Sequence, residues 1–270
     1  MELIKPLKIN GQSKDVILLD SFRIKATDNL PPNVYVSKIG NTNKFSKGNI
    51  SAWTGKAKSK KTFAITMLVS SMVAGSDLYG QFNSYNQNKV LWIDTEQSPH
   101  DVQKVAKRVK ELVGSEDNLF MYGLRPLSPK QRVEQIEKAL AIHECDVLVI
   151  DGVRDLIMSI NDAAESTEIV TKLMKWSYDY NIHVSTVIHQ SSADKVRGHI
   201  GTEIENKAET VIKVVRDEHD VNVSHIKEMY GRGKGFEDFQ FYIDDNGLPV
   251  IGGIDFGSSF KSDSDNEAPF

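Results

Sequence analysis

Trp53-Thr54-Gly55-Lys56-Ala57-Lys58-Ser59-Lys60-Lys61-Thr62 is the stretch on which the reading of this chain turns. It follows the spacing glycine, four residues, glycine, lysine, serine or threonine, with one departure: Lys60 stands at the second glycine. In such a loop the backbone N–H groups of Lys56, Ala57, Lys58 and Ser59 wrap phosphate oxygens. The lysine, Lys61, reaches the terminal phosphates, and the hydroxyl, Thr62, meets a magnesium ion. Taken alone, the segment reads equally well as a solvated lysine-rich turn, so its neighbours have to decide.

Those neighbours supply a strand before the loop and a helix after it. Asn49-Ile50-Ser51-Ala52-Trp53 reads as a short strand ending at Gly55. Helical spacing over residues 61–74 places Phe63, Ile65, Met67, Leu68 and Met72 for core contacts. Strand, glycine turn and helix is the setting a phosphate loop needs, because the helix N-terminus adds unpaired N–H groups and the positive end of the helix dipole. Lys60 is expected to be tolerated, with its amine directed toward phosphate or solvent. A backbone angle that only glycine adopts easily would instead weaken the wrapping.

Working outward, residues 89–94, Lys-Val-Leu-Trp-Ile-Asp, form a buried-type strand that runs into Asp94-Thr95-Glu96-Gln97. Ser98-Pro99 then starts a helix predicted to reach about Val113, with Val102, Val105, Val109 and Leu112 on one face. A strand at 119–122 and a helix from Ser128-Pro129 follow. The run 146–151, Asp-Val-Leu-Val-Ile-Asp, has the continuous apolar character of a central strand covered on both faces. A helix over 167–180, a strand over 182–188 ending in His189-Gln190, and a polar loop over 191–202 come next. Strands at 210–215, 221–226 and 239–243 close the ordered part. Upstream, Val16-Ile17-Leu18-Leu19 and Val34-Tyr35-Val36 are strand candidates, separated by the Pro31-Pro32 break.

This alternation predicts an α/β fold with a mostly parallel sheet flanked by helices and antiparallel strands late in the chain. The expected organisation is a small β-containing flank over 1–47, a core over 48–252, and a polar, acidic, disordered tail over 253–270. At 270 residues, 40% hydrophobic and 26% charged, the chain suits one sizeable domain. A net charge of −4 excludes a general attraction to nucleic acid and leaves only local basic patches. One cysteine, Cys145, excludes an internal disulfide framework and fits a reducing cytoplasm; its place beside an apolar run suggests a buried structural thiol. No stretch reads as a signal peptide or a membrane span, so no membrane partner is expected.

Ligands of open α/β sheets bind beyond the carboxyl ends of the strands. Four groups fall there: the loop from Gly55 to Thr62, Glu96, Asp151, and His189-Gln190. Asp151 suits a Mg²⁺ site, or else caps a turn with Gly152. Glu96 suits the orienting of an attacking water, with Asp94 as competitor; the plainer alternative is a surface acid near a helix start. Gln190 suits a γ-phosphate sensor, with His189 assisting. Lys195, Arg197 and His199 could meet a nucleic-acid backbone, or belong to an ordinary surface loop. Lys227 and Arg232, in the segment 227–235, could complete a neighbouring subunit's phosphate site, or lie solvated on a glycine-rich hairpin.

Taken together, residues 49–243 resemble the RecA-fold P-loop ATPases, an AAA-type ATPase domain, and more narrowly the RepA-like hexameric helicases. The resemblance rests on Gly80-Gln81-Phe82 through the strand to Glu96, on Val147-Leu148-Val149-Ile150-Asp151, and on His189-Gln190 before a basic loop followed by Lys227-Glu228-Met229-Tyr230-Gly231. It implies that Lys61 and Thr62 bind ATP phosphate and Mg²⁺, Glu96 is catalytic, Asp151 holds the metal, and His189 and Gln190 sense phosphate. It further implies a trans-acting Lys227 or Arg232, a ring usually of six subunits, and movement on single-stranded DNA in replication or mobile-element maintenance. An ATPase switch without unwinding activity, and a nucleotide-binding scaffold without turnover, are the competing functions; Glu96 argues against the scaffold.

Overall fold

The computed structural model describes residues 19–78, 80–190, 196 and 198–252. The chain divides into two compact units, residues 1–33 and 34–270. In the first, two tight turns are described, closed by Phe22 N–H to the Leu19 carbonyl and Asp28 N–H to the Lys25 carbonyl, each at 3.0 Å. Of the strand candidate at 16–19 only Leu19 is described, and it lies in a helical turn.

Among the described residues the second unit holds twelve strands in two sheets. A small antiparallel sheet has the order β2-β1-β4, from β1 (Tyr35–Ile39), β2 (Thr42–Ser46) and β4 (Phe82–Asn83). The large sheet has the order β12-β11-β10-β9-β3-β8-β7-β5-β6. Its strands are β3 (Ile50–Thr54), β5 (Val90–Asp94), β6 (Leu119–Gly123), β7 (Val147–Asp151), β8 (His183–Val187), β9 (Thr210–Arg216), β10 (Val223–Gly231), β11 (Phe239–Ile243) and β12 (Pro249–Ile251). From β9 to β6 all pairs are parallel, and β10, β11 and β12 extend the β9 edge antiparallel.

Every residue of β3, β5, β7 and β8 is buried, which is why β5 and β7 read as continuous apolar runs. Alternate side chains of β7 serve opposite faces. Val147 and Val149 join one core with α1 (Lys61–Ala74) and α2 (Pro99–Val113). Leu148 and Ile150 join the other with α3 (Pro129–Ile142), α4 (Ala163–Asp179) and α5 (Gly198–Lys207). Helix α1 is buried continuously from Ala64 to Val73, since it lies between the large sheet and Val36, Ile39, Phe45 and Phe82 of the small one. Among the described residues no helix is long and apolar enough to cross a membrane. Cys145 is buried, and burial pushes its thiol up to about 11, the state of an inert packing residue.

The expected loop over 191–202 needs correction at its end. Gly198, His199, Ile200, Gly201 and Thr202 open helix α5. Ile200 and Ile204, one helical turn apart, are buried in the core, and that burial outweighs the polar residues around them. Glycine is required at 198: its φ is +77°, and a Cβ there would stand 2.6 Å from the Ile160 carbonyl oxygen. The tail from 253 and the loop residues 191–195 and 197 lie outside the described residues.

Candidate functional site

Strand register gathers the candidate groups. Asp94 pairs with Asp151 across β5 and β7, and Thr54 pairs with Lys213 across β3 and β9, so the strands end together at one edge of the sheet. There an open cleft of about 380 Å³ is lined by Lys58, Ser59, Lys60, Lys61, Thr62, Glu96, Asp151 and His189. Phe63, Gln97 and Arg108 complete the lining.

The loop at 55–62 packs closely on β9. A Cβ on Gly55 would stand 2.3 Å from the Val214 carbonyl oxygen and 2.7 Å from Ser59 Oγ, so only glycine fits. Lys61, only 7% exposed, donates its amine to the carbonyls of Gly55 (2.9 Å) and Lys56 (3.1 Å). Burial lowers the Lys61 pKa, against the pull of Asp151 and Glu96. Lys56, Ala57 and Lys58 are exposed along the loop. Helix α1 begins here with no side-chain cap and no acid in its first turn. By contrast α2, α3 and α4 are capped by Ser98, Ser128 and Asp162. The uncapped end leaves backbone donors for an anion.

Lys60 departs from expectation. Its backbone is left-handed (φ 67°, ψ 33°), the conformation that glycine supplies in this pattern, at a cost of roughly 1–2 kcal/mol for a lysine. Its amine donates to the carbonyl of Val221 in the turn between β9 and β10, not into phosphate position or free solvent. Burial, then the Arg216 charge, lowers its pKa.

Thr62 Oγ1 donates to Asp151 Oδ2 at 2.9 Å. Burial pushes the Asp151 carboxyl up to about 7; the neighbouring Asp94 and Glu96 charges add to this, while the Thr62 bond and Lys61 oppose it. A buried carboxylate beside a hydroxyl suits a divalent cation that brings ligands of its own. Among the described residues no group of three or more His, Cys, Asp or Glu is arranged to hold a metal by itself. One carboxylate, one hydroxyl and substrate phosphates are what Mg²⁺ ordinarily takes.

Glu96 Oε1 lies 2.9 Å from His189 Nε2 and close above Gly152, where a Cβ would come within 3.1 Å of it. The His189 hydrogen bond lowers the Glu96 pKa against the effect of burial. Asp94 is fully buried and works one step back. Its Oδ1 accepts the N–H groups of Glu96 (3.0 Å) and Gln97 (2.7 Å), and its Oδ2 accepts Gln97 Nε2 (2.6 Å). The competitor for the water-orienting role therefore shapes the turn that carries Glu96. Gln190 donates its backbone N–H to the Gly55 carbonyl at 3.3 Å. Its side chain is 8% exposed, and both amide atoms lack partners among the described residues.

Other expected residues lie elsewhere. Gly231 pairs with Thr210 at the start of β9, so Arg232 stands at the opposite edge of the sheet from the cleft, donating to the Lys207 carbonyl at 2.8 Å. Lys227 pairs with Asp238 at 3.3 Å. His199 is exposed on the first turn of α5, while Lys195 and Arg197 lie outside the described residues. The sequence reading missed Arg108. Its guanidinium lies 4.0 Å from the Phe63 ring centroid at the cleft wall, and burial lowers its pKa. Nothing in the local pattern of α2 separates it from the helix's other surface cations.

A family model described as an AAA domain matches residues 29–195, more than half of the chain and every strand-end group of the cleft. Among solved structures, a KaiC-like protein from the hyperthermophilic archaeon Pyrococcus horikoshii aligns with a TM-score of 0.57 and 15% identity. The alignment covers 82% of this chain and 99% of that one, and at such identity it speaks for the fold, which is the RecA-like α/β fold. No curated protein matches the chain.

Proposed function

This chain belongs to the AAA domain family, and from that premise we propose that it is a RecA-like ATPase that hydrolyses ATP at the cleft beside residues 55–62. The observation that carries the proposal is the 2.9 Å bond between Thr62 and Asp151, with Glu96 close by over Gly152. Lys61 and the free N–H groups of α1 bind the phosphates. Mg²⁺ at Thr62 and Asp151 would offset phosphate charge. Glu96, its carboxylate further favoured by the His189 hydrogen bond, orients the water whose oxygen bonds to phosphorus as the bond to the ADP oxygen breaks. Gln190, whose amide has no partner among the described residues, would sense the terminal phosphate from beside His189 at the cleft.

The finer proposal is a motor on single-stranded DNA, assembled as a ring of six and working in the cytoplasm. It is supported by the resemblance to RepA-like helicases and by the basic residues Lys195, Arg197 and His199 after the sensor strand. An ATP-driven switch without unwinding is the alternative, in keeping with a net charge of −4 that gives no general attraction to nucleic acid. ATP turnover with and without single-stranded DNA separates the two. Glu96→Gln is expected to lower kcat by about 10²-fold or more. Lys61→Ala is expected to weaken nucleotide binding by at least about tenfold. Wild-type turnover no faster than that of Glu96→Gln refutes hydrolysis; turnover indifferent to DNA, with no DNA binding, refutes the motor.

A further inference from the structure

Lys60 belongs to two structures at once. Its backbone is part of the phosphate loop and its side chain lines the cleft with Lys61 and Thr62. Its amine, however, bonds the Val221 carbonyl in the β9–β10 turn. That turn is built rather than loose. Asp217 Oδ1 accepts the N–H groups of His219 and Asp220 at 2.8 Å each, and Asp217 Oδ2 lies 2.8 Å from His225 Nε2. Asp217 N–H reaches the Val223 carbonyl and Val223 N–H the Asp220 carbonyl, both at 3.1 Å. The charges around the Lys60 amine are mixed, with Arg216 repelling it and Asp220 attracting it.

We propose that Lys60 couples phosphate binding to the β9–β10 turn: the terminal phosphate of a bound nucleotide competes with the Val221 carbonyl for the Lys60 amine, and its capture releases the turn. The chemistry favours this direction. A carbonyl is a neutral acceptor, whereas a phosphate carries full negative charge, so the ammonium gains an ion pair by moving to it. A lysine stem is long and flexible enough to swing between two acceptors, which a glycine at this position cannot do. Arg216 adds a push away from the turn. The unusual residue of the loop thereby gains a purpose: it reports nucleotide at the cleft to β10, the strand that carries Lys227 and leads on to Arg232 at the end of the sheet away from the cleft.

The inference rests on the phosphate-loop reading, and the experiment separates the two. Hydrogen exchange of peptides covering residues 217–223 is followed by mass spectrometry on the full chain. It is compared with and without Mg²⁺ and a non-hydrolysable ATP analogue, while binding is measured in parallel with a fluorescent ATP. In the wild type, exchange in the turn is expected to rise about threefold or more on loading. In Lys60→Gly, which keeps the left-handed backbone and loses the amine, exchange is expected to be raised without nucleotide and unchanged by it. Lys60→Arg, which keeps the charge, is expected to respond as the wild type does. Nucleotide binding with no rise in the turn, or a Lys60→Gly response equal to the wild type's, overturns the coupling alone. A wild type that binds no nucleotide overturns the phosphate-loop reading and the coupling with it.

Discussion

Asp151 is a buried carboxyl beside two other acids, Asp94 and Glu96. Its carboxyl sits at about 7 against an ordinary 3.8, mainly because it is buried. Between those two values the folded chain holds the proton and the unfolded chain does not. This residue's contribution to stability therefore falls as pH rises through that window and levels off above it. The cost of the ionised form is on the order of a few kcal/mol. Asp151→Asn cannot ionise, so without ligand it is expected to melt several degrees above the wild type at pH 8, with the gap closing toward pH 4. Thermal denaturation across that range checks this, and a gap independent of pH would refute it. The same substitution is expected to remove Mg²⁺-dependent turnover. That Lys61, Thr62, Glu96 and Asp151 line one cleft follows from signals confined to a few neighbouring residues, since each lies at or just beyond a strand end or opens a helix. Arg108 was not legible in this way, since its role depends on a contact with Phe63 that α2 does not announce.

Among the elements, the helices differ in how they begin, and that difference follows function. Ser98 caps α2 by accepting the Asp101 N–H, and Ser128 forms a capping box with Gln131 at α3. Ser98→Ala is expected to cost about 1 kcal/mol of stability, read by urea denaturation, because one N–H at the start of α2 loses its partner. Since Gln97 and Glu96 immediately precede that cap, turnover is also expected to drop; stability lost with turnover unchanged would show that the cap does not position Glu96. Helix α1 has no such cap to lose. Helix boundaries at Ser98-Pro99 and Ser128-Pro129 were readable because capping chemistry is local. Helix α5 was missed because Ile200 and Ile204 are outnumbered by polar neighbours until the sheet supplies a surface to bury them.

Across the whole molecule, the parallel strands bring residues 58–62, Glu96 and Asp151 together at one end of the sheet. The antiparallel return of β10 carries Arg232 to the other. If Arg232 acts in trans, Arg232→Ala is expected to bind fluorescent ATP as the wild type does. Its turnover in the assembled protein is expected to fall about 10³-fold, the scale of a lost arginine finger. Equal turnover would remove Arg232 from the site. Mass in solution with ATP, measured alongside, reports whether an assembly forms at all. The alternation of apolar runs with helical periods was enough to predict the α/β class, and it pointed to residues 55–62 and to the acids at the ends of β5 and β7, because periodicity and strand-end placement are written in neighbouring residues. Strand order, the pairing of Thr62 with Asp151 and of Glu96 with His189, and the reach of Lys60 to Val221 had to await the folded chain. Each joins residues far apart in sequence, and such contacts are set by how the sheet twists and packs. The loop at 53–62 shows both sides: its spacing named it, and the left-handed Lys60 within it acquired its partner only when β9 and β10 folded beside it.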